Sequence, residues 1–144
     1  MKVLVQSFSY VRTGYPADKT GKGGGFVFDC RTIDVFDASG GYTYDSPPAV
    51  LYFVTGQSPV IKEALDKNVE AQEFFDAVWD LVEMDIAKCL RRGFNIMTVN
   101  FGCSAGHHRS VYMAEKLVRE INKKFPDVEC ELIHLERAHW PQIA

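Results

Sequence analysis

The chain has 144 residues, a formal net charge of −3 at pH 7, 47% hydrophobic residues and 24% charged residues. This length fits a single domain over residues 1–144 with a core of its own, and the composition is ordinary for a soluble globular protein. Domains built mainly to bind nucleic acid are usually basic, so the acidic balance disfavours that class of function.

Two strands are predicted in the first part of the chain. Residues 2–9 and 26–31 are short runs of β-branched and aromatic residues, which is typical of strands. The Gly, Pro, Asp and Lys content of residues 11–25 predicts a mobile loop, and we favour this over a second phosphate contact at its glycine cluster. Residues 32–48 form an irregular segment whose length is typical of a functional or disordered loop in a small domain.

Two helices are predicted in the middle of the chain. Ser58 followed by Pro59 is a favourable helix start, with Ser as the N-cap, and predicts a short helix over 59–66. Apolar residues then recur at steps of three and four, which predicts a long amphipathic helix over 70–91. Gly93 ends this helix.

The last third of the chain reads strand, helix, strand. Residues 94–102 form the most convincing core strand, and a helix with one apolar face follows over 107–124. Pro126 stops that helix, and residues 128–136 alternate as a final strand does. The whole order predicts an α/β fold with a small, mainly parallel sheet flanked by helices.

Polar residues at predicted strand ends indicate where a ligand binds. In parallel sheets, ligands gather at the carboxyl ends of the strands. Asp29 and Arg31 lie at one such end, and the bend between the third strand and the last long helix lies at another. The sequence therefore predicts that these residues share one edge of the sheet.

The bend at residues 102–110 predicts a phosphate site. Gly102 and Gly106 give the backbone unusual freedom, and the first N–H groups of the next helix have no partner within it. The helix dipole favours an anion at that end, and Arg109 adds a bidentate, charge-assisted contact. Further hydrogen-bonding groups come from Ser104, Ser110, His107 and His108.

Cys103 raises an alternative. Cys103, Gly106 and Arg109 spell C-x-x-G-x-x-R, which resembles the C-x5-R signature of protein tyrosine phosphatases, whose Cys thiolate attacks phosphorus. Gly102 stands where that signature usually has His, and neither Asp29 nor Asp45 has the context of the general acid. We favour a packing role or a binding contact for Cys103 over a catalytic one.

The four cysteines and the N-terminus indicate the cellular compartment. Cys30, Cys89, Cys103 and Cys130 form no C-x-x-C pair and no zinc spacing, so we interpret them as reduced thiols and expect neither a metal nor a cofactor. The N-terminal apolar run is too short and too polar to be expected to act as a signal peptide, and no run approaches the roughly 20 apolar residues of a membrane span. We expect a cytoplasmic protein without a membrane partner, and the oligomeric state stays open.

Four motifs, in order, resemble one known family. The stretch "GCSAGHHRSVYMAEKL" is similar to the GCTGG-x-HRSV-x-(I/V)-AE motif of the RapZ (RNase adapter protein) C-terminal domain family. "SFSYVRTGYPAD" resembles that family's opening motif, "FVFDCR" its VFDVR and "VTGQSPV" its TG-x-(D/S)-x-x-V. "LERAHW" occupies the place of the family's basic LEKRK end, so the resemblance covers nearly the full chain.

The resemblance implies a function and a set of residues. In full-length members this domain follows a P-loop NTPase domain, whose motif is missing here, so the chain resembles the C-terminal module standing alone. The family senses glucosamine-6-phosphate, and some members present a small RNA to an endonuclease. The residues that match the family's motifs are Cys103, Ser104, Ala105, Gly106, His108, Arg109 and Ser110 in the loop, with Asp29, Arg31, Thr55 and Gly56 outside it.

Three departures from the family pattern affect these expectations. Ala105 replaces a glycine of the loop, and "TIDVFDASGGYTYD" replaces a proline-rich stretch that helps to form the sugar pocket. The basic tail is missing after Arg137. Binding of a hexosamine phosphate is therefore the main hypothesis, with RNA binding and a Cys-dependent phosphatase as alternatives. The basic residues of the last helix suit a solvated face better than an RNA site.

Overall fold

Four parallel strands form the sheet in the computed structural model of this protein, which describes residues 1–34 and 54–141. They are β1 (Lys2–Ser9), β2 (Phe26–Asp29), β3 (Ile96–Cys103) and β4 (Glu129–His134), in the spatial order β2-β3-β1-β4. β1 pairs with β3 and β4 on either side, and β2 pairs with β3. The predicted α/β fold with a parallel sheet is confirmed.

Three α-helices accompany the strands in the described part of the chain. They are α1 (Pro59–Asp66), α2 (Val69–Arg92) and α3 (Arg109–Lys124), and a short 3-10 turn spans Arg137–His139. The Asn68 side chain caps α2 by accepting from the Ala71 N–H over 2.8 Å, and Gly93 ends α2 in the left-handed conformation at φ 71°. No helix among the described residues is both long and apolar enough to cross a membrane.

The sheet has two differently covered faces. Side chains such as Val5, Val99 and Phe101 form one hydrophobic core with α2 and α3. On the opposite face, Gln6 donates to Asn100 over 3.0 Å in a buried pair. At the start of β2, a Cβ on Gly25 would lie 2.2 Å from the Thr98 carbonyl oxygen of the neighbouring strand, so the close approach requires glycine.

The predicted boundaries shift by a few residues at most. Strand β2 ends at Asp29 rather than at residue 31, because the chain turns there and Ile33 donates to the Cys30 carbonyl. Strand β3 extends over Ile96–Cys103 rather than over 94–102, and the predicted last strand stops at His134, before the 3-10 turn. Helix α3 begins at Arg109 rather than at residue 107.

Some predicted features lie outside the described residues. Most of the irregular segment 32–48 belongs to residues 35–53, and so does Asp45.

In the described glycine-rich loop, the carboxylate of Asp18 accepts hydrogen bonds from the N–H groups of Thr20 and Gly23. These bonds and the Thr20 hydroxyl, whose contribution is the largest, lower the pKa of Asp18 to about 2.

Candidate functional site

All predicted site residues lie near one edge of the sheet. Since the four strands are parallel, their carboxyl ends meet at the same edge. Strand β2 leads into Asp29 and Arg31 there, and β3 leads into the loop 104–108. The structure therefore brings together the residues that follow β2 and β3, as the strand order of the sequence predicted.

The two glycines of the bend serve different purposes. Gly106 has a φ of 72°, a conformation that L side chains rarely adopt, and a Cβ there would lie 2.7 Å from Cγ of Glu136. Gly102 has no positive φ, but a Cβ on it would lie 2.4 Å from the Phe8 ring and 2.5 Å from the Tyr10 ring. The expectation of unusual backbone angles is therefore right for Gly106 and wrong for Gly102, where close packing requires glycine.

The loop and the start of α3 present a series of backbone donors. The first hydrogen bond of the helix runs from the Tyr112 N–H to the His108 carbonyl over 2.9 Å. Helix α3 has no side-chain cap and no acidic residue in its first turn. Several N–H groups of this stretch donate to no other described residue, namely those of Ser104, Ala105, Gly106, His107, Ser110 and Val111.

Cys103 is packed inside the protein. Its side chain has 0% exposure, and its Sγ lies 3.1 Å from the Oγ of Ser110, which is equally buried. Cys30, also fully buried, donates its backbone N–H to the Gly102 carbonyl beside it, and burial raises the pKa of the Cys30 thiol well above its usual value. This environment suits a packed cysteine better than an accessible nucleophile.

Arg109 is the largest fully buried side chain among the described residues. Its Nη1 donates to the backbone carbonyls of Arg31 over 2.5 Å and of Ile33 over 3.1 Å. These hydrogen bonds connect the start of α3 with the segment after β2. The predicted contact between this guanidinium and a phosphate stays a prediction.

The two histidines occupy different environments. His108 is buried, and its Nε2 donates to the Val54 carbonyl over 2.7 Å. His107 is half-buried, and its Nε2 has no hydrogen-bond partner among the described residues. Burial, followed by the charges of His108, Arg12 and His139, lowers the pKa of His107, so its ring is neutral at pH 7.

The turn at Thr55 and Gly56 packs against the start of α3. The Gly56 N–H donates to the His107 carbonyl over 2.7 Å, and a Cβ on Gly56 would lie only 2.4 Å from the His108 carbonyl oxygen. The Thr55 hydroxyl accepts from the Gln57 N–H. The described contacts of Thr55 and Gly56 therefore pack this turn against the backbone of His107 and His108 and stabilise the loop.

Asp29 and Arg31 form an ion pair at the end of β2. The Arg31 Nε lies 2.9 Å from Oδ1 of Asp29, and its Nη2 lies 2.7 Å from Oδ2. Hydrogen bonding to Arg31 lowers the pKa of Asp29, so this carboxylate is a poor proton donor near neutral pH. The Arg31 guanidinium also stacks 3.8 Å from the ring centroid of Tyr10.

Sequence reasoning missed several residues at the same edge. A cavity of about 210 Å³ beside the loop is lined by Ser9, Val11, Arg12, Ser104 and Ala105. Glu136 is fully buried behind Gly106, and the Trp140 indole N–H donates to the Gly106 carbonyl over 3.1 Å. Arg12 follows β1 and Glu136 follows β4, so the strand-end argument applied to Asp29 would have found both.

Three lysines of α3 contact neighbouring side chains. Lys116 bonds to Gln72 and lies 4.8 Å from the ring centroid of Phe75. Lys123 lies 3.5 Å from Glu120, and Lys124 lies 3.8 Å from Glu83. These contacts place carboxylate or amide groups beside the lysines, and RNA binding stays a prediction.

Comparison with known proteins gives one family and a set of relatives. Residues 1–137 match the family model of the RapZ C-terminal domain. The chain is 28% identical over 144 residues to a nucleotide-binding protein of Xanthomonas axonopodis pv. citri, covering 100% of this chain and 41% of that protein. It is 35% identical over 117 residues to a nucleotide-binding protein of Thioalkalivibrio sulfidiphilus, covering 81% of this chain and 36% of that protein. The chain thus spans well under half the length of these curated relatives.

Proposed function

Because the chain belongs to the RapZ C-terminal domain family, we propose that it binds a phosphorylated small molecule, a hexosamine phosphate, at the loop 102–110. The observation that carries this proposal is a series of backbone N–H groups that donate to no described residue, namely those of Ser104, Ala105, Gly106, His107, Ser110 and Val111. Such donors at the start of a helix suit the oxygens of a phosphate group, and the helix dipole favours its negative charge.

Two further observations support a phosphate ligand. The hydroxyl of Ser104 and the N–H of Ala105 belong to residues that line the open cavity beside the loop, so a ligand there can reach the loop backbone. The curated relatives are named nucleotide-binding proteins, and a nucleotide, like a sugar phosphate, carries a phosphate group. In this proposal the domain acts as a sensor, and an adapter role toward RNA or protein is an additional prediction.

The phosphatase alternative lacks a supporting observation. The Cys103 thiol has 0% exposure, and the described candidate acid, Asp29, is held deprotonated by Arg31. A phosphatase of this type needs an accessible thiolate and a proton donor for the leaving group.

A pair of substitutions at one exposed position tests the proposed site. Ala105→Glu places a carboxylate beside the loop, whereas Ala105→Gln adds a side chain of similar size without a charge. Repulsion between this carboxylate and a bound dianion should weaken the affinity for glucosamine-6-phosphate by about tenfold relative to Ala105→Gln, or about 1.4 kcal/mol. Isothermal titration calorimetry measures the difference, with unphosphorylated glucosamine as the ligand control.

Amide NMR locates the binding. On addition of glucosamine-6-phosphate, the backbone amide resonances of Ser104 to His107 should shift more than those of α2. Equal affinity of Ala105→Glu and Ala105→Gln, or amide shifts confined to another part of the sheet, would contradict the site. Equal binding of glucosamine and its phosphate would contradict the ligand class.

A further inference from the structure

We propose that Arg12 supplies the guanidinium that binds the anionic group of the ligand, and that the buried carboxylate of Glu136 positions it. This inference rests on the proposed function, because it names a cation for the same site. Arg12 lies in the turn after β1 and lines the cavity of about 210 Å³ together with Ser104 and Ala105. Its side chain is 57% exposed, so a ligand in the cavity can reach it.

The turn after β1 is fixed to the loop through one hydroxyl. The Oγ of Ser9 donates to the Ser104 carbonyl over 2.6 Å and accepts from the Arg12 N–H over 3.0 Å. The Tyr10 N–H also donates to the Cys103 carbonyl over 3.0 Å. The backbone of Arg12 therefore has a fixed position beside the loop amides, which is the arrangement that a preorganised binding residue needs.

Glu136 is an unusual carboxylate. Its side chain has 0% exposure, and neither of its oxygens accepts a hydrogen bond from a described residue. Its described cationic neighbour is the Arg12 Nε, 3.6 Å from Oε2. A buried carboxylate without a partner is costly, so the ion pair with Glu136 favours the position of the Arg12 guanidinium beside the loop.

The geometry of the pair leaves the end of the guanidinium for a ligand. The Arg12 nitrogen recorded against Glu136 is Nε, and the two terminal nitrogens of Arg12 donate no hydrogen bond to a described residue. Their donors suit two oxygens of a phosphate monoester. Arg12 is the charged residue among those that line the cavity, so it is the lining residue that can balance a dianion.

Three variants test the inference with inorganic phosphate and glucosamine-6-phosphate as probes. Arg12→Gln should weaken both affinities by at least about tenfold, and Arg12→Lys should restore part of the loss because it keeps the charge. Lys19→Gln removes an exposed cation from the same connecting segment and serves as the matched control, with unchanged affinity expected.

The role of Glu136 is tested by combining variants. Glu136→Gln should weaken binding of inorganic phosphate in the wild-type background but have no further effect in the Arg12→Gln background, since it acts through Arg12. A purely structural role would lower affinity equally in both backgrounds and would overturn the positioning claim. If Glu136→Gln does not fold, the same cycle with Glu136→Asp decides the question.

The outcomes separate this inference from the proposed function. Unchanged affinity of Arg12→Gln, together with a loss in Ala105→Glu, would overturn the inference and leave the loop site standing. Absence of any phosphate-dependent binding by the wild-type chain would overturn both.

Discussion

The guanidinium of Arg109 donates to the backbone carbonyl of Arg31 over 2.5 Å, and so joins the first residue of α3 to the segment that follows β2. A second hydrogen bond from the same nitrogen reaches the Ile33 carbonyl. Because Arg109 is 1% exposed, these bonds are made away from water. The loop at the end of β3 and the segment after β2 are therefore held as one unit.

Replacing this guanidinium should destabilise the fold. A lysine at position 109 cannot reproduce the planar donor group, so Arg109→Lys leaves buried carbonyls without their donor. We expect a loss of about 2–4 kcal/mol in the free energy of unfolding, measured by urea denaturation. Arg91→Lys, at an exposed position of α2, is the control and should change little. An unchanged urea midpoint for Arg109→Lys would show that the bonds contribute nothing.

The turn behind the loop leaves no room for a methyl group. In Gly56→Ala, the new Cβ would lie 2.4 Å from the His108 carbonyl oxygen and 2.7 Å from the Tyr112 nitrogen. Since both neighbours are backbone atoms, the turn must move away from α3, at a cost of about 1–3 kcal/mol. Thermal unfolding measures the loss. Val60→Ala, which is 50% exposed on the neighbouring α1, should keep the wild-type midpoint.

The carboxylate of Glu115 makes the free energy of unfolding depend on pH in the acid range. His134 Nε2 donates to Glu115 over 3.1 Å, while His134 Nδ1 and the Ser7 hydroxyl form a hydrogen bond of 2.6 Å. The hydrogen bond from His134 is the main cause that lowers the pKa of Glu115 from 4.5 to about 2. The native state thus binds this proton more weakly than the unfolded state, so the stabilisation is complete above about pH 4.5 and is lost toward pH 2.

Urea denaturation at several pH values tests this dependence. The free energy of unfolding of Glu115→Gln should fall less steeply than that of the wild type between pH 5 and pH 2, roughly the window between the two pKa values. Glu73→Gln, exposed on α2, should follow the wild-type slope. Identical slopes for the wild type and Glu115→Gln would contradict the assignment.

The burial of the cysteines predicts an order of thiol reactivity. Cys30 and Cys103 are 0% exposed, whereas Cys130 is half-buried. Iodoacetamide should therefore modify Cys130 at least about tenfold faster than Cys103 in the native protein, although burial also raises the pKa of Cys130. Mass spectrometry of peptides measures the rates, and protein unfolded in urea is the control. Preferential modification of Cys103 would show that its thiol is accessible and would support the phosphatase alternative.

The elements of this fold follow from local patterns. Ser58 and Pro59 begin α1 as predicted, and the periodic apolar residues of α2 place its buried face correctly at Val78, Val82 and Ile86. Leu81 belongs to the same predicted face but is 44% exposed, because the apolar stripe of α2 is narrower than the periodicity alone suggests.

The details of the candidate site depend on contacts that no local pattern contains. The sequence predicted that the loop 102–110 and Asp29 share one edge of the sheet, since the ends of strands and the start of a helix are local features. The direction of the Arg109 side chain depends on carbonyls that lie 76 and 78 positions away in sequence. The pairing of Arg12 with Glu136 likewise requires the ends of β1 and β4 to be neighbours, which only the strand order of the folded sheet reveals.

The central place of β1 in the sheet has a consequence for how the protein is made. The side-chain bonds from β1 to β3 and β4 bridge 94 and 127 positions of the chain. During translation, β1 leaves the ribosome long before either of its partners, and its apolar side chains stay unpaired until β3 and β4 emerge. A nascent chain stalled within α3 would still lack β4, so chaperones have a long interval in which to engage it.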